Sequence, residues 1–166
     1  TFRDQIAVLA EAGLTCLAIN FRGYGRSTGD LAPGDPFSPS LADDVQAAVR
    51  HARKELEMAR VHVVGASMGG FAAALAATRA VGAERIERLA LLSPVGIARP
   101  EDIQTSGLLY VASEDEPMAG SILEQYDRAP QPKKLLMLPG KAHAQHIFAS
   151  PSGGRLLEEL RRFLLG

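Results

Sequence analysis

Ser67 stands in the middle of the sequence Gly65-Ala66-Ser67-Met68-Gly69, where its hydroxyl group could act as a nucleophile. The pattern Gly-x-Ser-x-Gly forms a sharp turn that exposes the serine hydroxyl when it follows a strand and opens a helix. The two glycines leave room where strand and helix approach each other closely. By chance, the pattern occurs in roughly one chain in twenty of this length. The segments on either side, which read as strand and helix, therefore carry much of the evidence.

A serine nucleophile needs partners that this chain supplies further along. A general base must remove the hydroxyl proton, and an anionic group must fix the tautomer of that base. Three adjacent carboxylates, Glu114, Asp115 and Glu116, follow one predicted strand, and two histidines follow the next. His143 comes directly after that strand and a Gly-x-x step, whereas His146 falls in the following turn, so we favour His143 as the base.

The elements that must position these groups alternate along the chain. Continuous apolar or β-branched runs predict strands over residues 14–21, 60–65, 86–92, 107–112 and 134–138. Apolar residues at helical spacing predict helices over residues 2–12, 41–58, 121–128 and 154–165, with another directly after Ser67. A glycine- and proline-rich stretch, residues 22–39, predicts a long loop. Strands that alternate with helices indicate a mostly parallel sheet with helices on both faces.

Composition limits the classes of protein that the chain can represent. Its 166 residues suit a single domain, and a formal charge of −1 gives no sign of nucleic-acid binding. No apolar run is long enough for a membrane span, and one cysteine excludes an intramolecular disulfide. The four dispersed histidines do not have the spacing of metal ligands. We expect a cytoplasmic protein that requires neither metal nor cofactor.

Four stretches resemble the α/β-hydrolase fold family and together extend over nearly the whole chain. They are FRGYGRS at residues 21–27, GASMG at 65–69, SEDEP at 113–117 and GKAH at 140–143. The resemblance implies a three-layer α/β sandwich without a cap domain and a serine esterase activity. It also implies a triad of Ser67 as nucleophile, His143 as base and Asp115 as orienting acid, with Glu116 as the second choice for the acid. The backbone N–H of Met68 would be one oxyanion donor.

The chain departs from this family at its beginning. The family has a further strand and a His-Gly loop before the helix with which this chain opens, and that loop supplies the second oxyanion donor. Thr1 directly precedes the predicted first helix and is not a methionine. We therefore expect residues 1–166 to form a single α/β-hydrolase domain that is partial at the N-terminus. The preferred function is hydrolysis of a small carboxylic ester, or of an amide or thioester, through an acyl-enzyme. The alternative is a catalytically silent binding domain or an inactive fragment.

Overall fold

Four parallel strands form the sheet at the centre of the fold. The structure is a computed structural model that describes residues 2–29 and 37–166. Their order across the sheet is the same as their order along the chain. The strands are β1 His62–Ala66, β2 Arg88–Leu92, β3 Gly107–Ser113 and β4 Lys133–Leu138. All four were predicted within a few residues of these bounds, and the α/β fold class is confirmed.

Five α-helices connect and cover these strands in the described part of the chain. They are α1 Arg3–Glu11, α2 Leu41–Lys54, α3 Met68–Arg79, α4 Ala119–Arg128 and α5 Gly153–Leu165. Each lies inside or close to a predicted helix. The second helix ends earlier than residue 58, because Glu57 adopts a left-handed backbone conformation with φ of 54°. That conformation cannot continue an α-helix.

Side chains alternate between the two faces of the sheet and build a core on each. Leu91 and Tyr110 belong to the hydrophobic cluster on one face, which also contains residues of α2, α3 and α4. Leu92 and Val111 face the other, which contains residues of α5. The two central strands are buried on both faces, which explains why they are continuously apolar in sequence.

The predicted strand over residues 14–21 is wrong. In the part of the chain that the structure describes, these residues pair with no strand, and Leu17 and Ile19 are 48% and 40% exposed rather than buried. The two edge strands of the described sheet are β1 and β4, so the segment does not pair directly with β1 either. A strand exists only when a neighbour supplies hydrogen-bond partners, and the apolar pattern of the segment could not reveal whether that neighbour is present.

Loops at the carboxyl ends of the strands carry the residues singled out in the sequence. The predicted long loop is described over residues 22–29 and 37–39, and its central residues 30–36 lie outside the described residues.

The link from β2 to β3 contains a single 3₁₀ turn, Pro100–Asp102, and no α-helix. In the described residues, no helix is long and apolar enough to cross a membrane.

Candidate active site

Ser67 occupies a sharp turn between β1 and α3. Its backbone has φ of 50° and ψ of −116°, a conformation that non-glycine residues seldom adopt. The Ser67 N–H donates to the carbonyl oxygen of Leu92 on the neighbouring strand, at 2.9 Å. A Cβ atom added to Gly65 would lie 2.4 Å from the carbonyl oxygen of Gly69. Only glycine fits there, so the motif's first glycine permits the close approach of strand and helix.

His143 lies within hydrogen-bonding distance of this serine. It follows β4 through a turn in which Gly140 has φ of 106°. Its Nε2 atom is 2.9 Å from the Oγ of Ser67, and the imidazole is 36% exposed. The alternative base, His146, is exposed and directs only its backbone N–H to the carbonyl oxygen of His143. The structure thus places the preferred histidine, and not its neighbour, against Ser67.

The carboxylate that meets His143 is that of Glu116, the second choice for the orienting acid, and not that of the preferred Asp115. Glu116 Oε2 lies 2.7 Å from His143 Nδ1, and the glutamate side chain is fully buried. Asp115 is exposed, and its backbone N–H donates to the carbonyl oxygen of Gly140. The reason is local: in the turn after β3, the Glu116 N–H approaches the carbonyl oxygen of Ser113 at 3.4 Å. This turn directs residue 116 inward and residue 115 to solvent.

Two further hydrogen bonds hold the Glu116 carboxylate. The Ser93 hydroxyl donates to Oε1 at 2.8 Å, and the Ser113 backbone N–H donates to the same oxygen at 2.9 Å. A buried carboxylate is tolerated only when it is paired and hydrogen-bonded, and three donors meet that need. Sequence reasoning missed both serines. The available signal was their position: Ser113 ends one buried strand and Ser93 directly follows another, at the sheet edge where ligands bind.

Met68 supplies a backbone donor beside the nucleophile. It is the first residue of α3, and the first N–H groups of an α-helix have no acceptor within the helix. The helix N-terminus also carries partial positive charge, which favours an anion there. The Met68 side chain contacts the loop after residue 21, since the Tyr24 hydroxyl lies 3.8 Å from the Met68 sulfur. These observations make Met68 N–H suitable for holding a developing oxyanion.

An ion pair fixes the loop that carries Tyr24. The Arg22 guanidinium donates to both carboxylate oxygens of Asp44 on α2, at 2.7 to 3.1 Å, and the Arg22 N–H donates to Oδ2 at 2.9 Å. Burial alone would raise the pKa of Asp44. The hydrogen bonds from Arg22 outweigh it and lower the pKa of that carboxyl below its usual value. The loop is therefore anchored to α2 rather than to the sheet.

Aromatic and apolar groups surround the elbow on the same side. Phe37 and Phe71 pack edge to face, with ring centroids 5.6 Å apart. The ring of Phe21 lies 3.8 Å from the position that a Cβ on Gly69 would occupy. Among the described residues, no group of three or more histidine, cysteine, aspartate or glutamate side chains could hold a metal ion. The functional groups that meet at the site are the hydroxyl of Ser67, the imidazole of His143 and the carboxylate of Glu116.

A parallel α/β sheet with Gly-x-Ser-x-Gly between a strand and a helix is the arrangement of α/β hydrolases. The family model described as alpha/beta hydrolase fold matches residues 1–112, more than half of the chain. The chain therefore belongs to the α/β-hydrolase fold family, and this membership supports a hydrolase.

Solved structures share this fold at low sequence identity. A putative α/β hydrolase from Agrobacterium tumefaciens is 20% identical, with a TM-score of 0.70 over 99% of this chain and 77% of that one. An esterase from Pyrococcus furiosus is 17% identical, with a TM-score of 0.70 over 98% of this chain and 77% of that one. A serine hydrolase without a lid from Xanthomonas campestris is 20% identical, with a TM-score of 0.65 over 98% and 71%. No curated protein matches the chain.

Proposed function

We propose that the protein is a serine hydrolase that cleaves a carboxylic ester through an acyl-enzyme, with Ser67, His143 and Glu116 as its triad. One observation carries the proposal: an unbroken chain of hydrogen-bonding distances runs from Ser67 Oγ through both imidazole nitrogens to a buried carboxylate. The tautomer with the proton on Nδ1 satisfies Glu116 and leaves Nε2 free to accept the serine proton. This is the arrangement that a base needs before catalysis begins.

In the first half of the reaction, Ser67 Oγ attacks the ester carbonyl carbon while its proton passes to His143 Nε2. The carbonyl oxygen becomes an oxyanion, and the Met68 N–H donates to it. Collapse of this intermediate breaks the bond to the alcohol, which leaves with the proton from His143. Glu116 stabilises the imidazolium while it exists.

In the second half, water takes the place of the alcohol. It loses a proton to His143 Nε2 and attacks the acyl carbon that is bonded to Ser67. Collapse breaks the acyl–oxygen bond, and His143 returns its proton to Ser67 as the carboxylic acid leaves. The reaction needs no cofactor, and the same steps would cleave a thioester or an amide.

The surroundings of Ser67 favour small or solvent-exposed acyl groups. The link between β2 and β3 holds only a 3₁₀ turn, so it does not form a cap over the site. Tyr24, Met68 and Phe71 offer apolar surface beside the elbow. We propose a small ester as the substrate class. The cytoplasmic location is a separate prediction, which rests on the single cysteine.

Replacing Ser67 tests the proposal directly. The Ser67→Ala variant should lose turnover of p-nitrophenyl acetate by on the order of 10⁴-fold or more, because the hydroxyl that forms the acyl-enzyme is removed. Ser106→Ala is the matched control, since this serine is exposed at the opposite end of β3. The control should keep the wild-type rate. Undiminished turnover by Ser67→Ala, with the fold intact by circular dichroism, would reject the assignment.

A catalytically silent binding domain is the second candidate, and one observation favours it. The strand that leads into the elbow, β1, is at an edge of the described sheet, and the apolar residues Leu17 and Ile19 are exposed. A loosely supported elbow would not hold Ser67 in the geometry that catalysis requires. Turnover by the wild-type protein that depends on Ser67 would exclude this candidate.

A further inference from the structure

Ser93 and Ser113 lie at the carboxyl ends of the two central strands, and both donate to the same oxygen of Glu116. The backbone N–H of Ser93 donates to the carbonyl oxygen of Val111 at 2.8 Å, which continues the β2–β3 ladder by one residue. The two serines are 0% and 1% exposed. Neither hydroxyl contacts Ser67, so neither has a place in the reaction described above.

The Ser93 hydroxyl joins the acid to the loop of the base. It donates its only proton to Glu116 Oε1 at 2.8 Å and accepts the backbone N–H of Ala144 at 2.9 Å. Ala144 directly follows His143 and has a left-handed backbone with φ of 54°. Because a carboxylate only accepts and an N–H only donates, both hydrogen-bond directions at Ser93 are fixed.

Ser113 makes a second connection between the same two loops. Its backbone N–H donates to Glu116 Oε1 at 2.9 Å, and its hydroxyl donates to the carbonyl oxygen of Ala142 at 2.5 Å. Ala142 directly precedes His143. The residues on both sides of His143 are therefore held by serines that also hold its carboxylate partner.

We propose that Ser93 and Ser113 form a serine bracket that sets the alignment of Glu116 and His143, with both serines acting as positioning residues. The inference rests on the proposed function, because it assigns these serines to the triad of that reaction. Without the Ser93 hydroxyl, Oε1 keeps one donor, and the buried Ala144 N–H loses its acceptor. The carboxylate and the imidazole are then free to shift relative to each other, and catalysis depends steeply on such alignment.

The kinetic test compares variants that remove the hydroxyl in different ways. Ser93→Ala should lower kcat by roughly 10- to 100-fold with little change in KM, which is the effect of one hydrogen bond to a charged group. Ser113→Ala keeps its backbone N–H and should lose only about 2- to 10-fold. Thr105→Val is the control, because it removes a half-buried hydroxyl at the other end of β3. It should keep the wild-type kcat.

Ser93→Gly separates the hydroxyl from the backbone. Ser93 has φ of 42°, a conformation that glycine adopts without strain. If only this backbone conformation mattered, the glycine variant would retain the wild-type kcat, and the proposal would be overturned. We expect it to match Ser93→Ala. In a Glu116→Gln background, the removal of the Ser93 hydroxyl should have almost no further effect on kcat, because the group through which it acts is already lost.

A measurement that needs no turnover distinguishes failure of the bracket from failure of the proposed function. ¹⁵N-histidine NMR, with His143 assigned by loss of its signals in His143→Ala, reports which nitrogen carries the proton. We expect the Nδ1–H form in the wild type and a larger Nε2–H fraction in both Ser93 variants. If the wild type is inert but this change occurs, the bracket stands and the hydrolase proposal fails. Unchanged tautomer populations in both Ser93 variants would overturn the bracket, whether or not the protein is active.

Discussion

The paired substitutions Glu116→Gln and Asp115→Asn are expected to have opposite consequences, although the residues are adjacent and the chemical change is the same. Each replaces a carboxylate with a neutral amide of nearly equal size. Glu116 is fully buried and accepts hydrogen bonds from Ser93, Ser113 and His143. Asp115 is exposed. The comparison therefore isolates the contact with the imidazole from the general effect of removing a negative charge.

The size of the effect follows from the hydrogen bonds. A glutamine at residue 116 has one oxygen, which the Ser113 N–H and the Ser93 hydroxyl would occupy. Its NH₂ group would then face His143 Nδ1 and donate to it, which places the imidazole proton on Nε2. In that tautomer Nε2 cannot accept the proton of Ser67. We expect kcat to fall by about 10³- to 10⁴-fold, or about 4 to 5.5 kcal/mol of transition-state stabilisation.

The assay is steady-state hydrolysis of p-nitrophenyl acetate at neutral pH, with thermal unfolding measured for both variants. The kcat of Asp115→Asn should remain within about twofold of the wild-type value, since the charge of an exposed carboxylate is screened by solvent and salt and has little effect on the reacting atoms. Catalysis that survives Glu116→Gln but is lost in Asp115→Asn would refute the assignment of the acid and the structural reasoning behind it.

Three further predictions concern stability and are checked by denaturation with urea or heat. Gly65→Ala should destabilise the fold by about 2–4 kcal/mol, because the new Cβ would lie 2.4 Å from a backbone oxygen of α3. The control is Gly120→Ala, which should be neutral or stabilising because no atom lies within 4 Å of its new Cβ. Asp44→Asn should cost about 1–2 kcal/mol at neutral pH through loss of the ion pair with Arg22. Because the pKa of Asp44 is lowered in the folded protein, this difference between variant and wild type should shrink as the pH falls below the usual carboxyl pKa and vanish once it has passed through the lowered pKa. Burial and nearby arginines lower the pKa of His62, so the stability of the wild type should fall as the pH drops from about 7 to about 5. In His62→Gln, stability should depend less on pH over this range. The same pH dependence in variant and wild type would contradict the burial argument.

Ser67, the proposed nucleophile, could be singled out from the sequence because its signal is local. A β-branched run, two glycines and an alanine-rich helix all lie within about fifteen residues of Ser67, and their positions fix the turn. His143 was also accessible, since it follows a recognisable strand and a glycine. Both side chains reach the same place because parallel strands end at the same edge of the sheet.

The carboxylate that meets His143 could not be singled out from the sequence in the same way. Glu114, Asp115 and Glu116 are neighbours in a turn, and the side chain that points inward depends on the backbone path after β3. That path is set by the contact between the Glu116 N–H and the Ser113 carbonyl, and by hydrogen bonds to the Glu116 carboxylate such as the one from the Ser113 N–H. Serines such as Ser93 are also too frequent in sequences to attract notice without the structure.

The failed strand prediction has a related cause. Residues 14–21 have the composition of a buried strand, but pairing is a property of two segments and not of one. Exposure of Leu17 and Ile19 shows that the composition of a segment does not guarantee its burial. Helices were easier to predict because their backbone hydrogen bonds are made within the segment itself.

Covalent labelling by a fluorophosphonate shows whether Ser67 is an activated nucleophile, and it requires no knowledge of the substrate. The intact protein is incubated with the probe, digested and examined by mass spectrometry. We expect a single adduct on the peptide that contains Ser67, and much slower labelling in the folded His143→Ala variant, where the proposed base is missing. A folded protein that acquires no adduct at Ser67, or that is labelled equally fast without His143, would contradict this expectation.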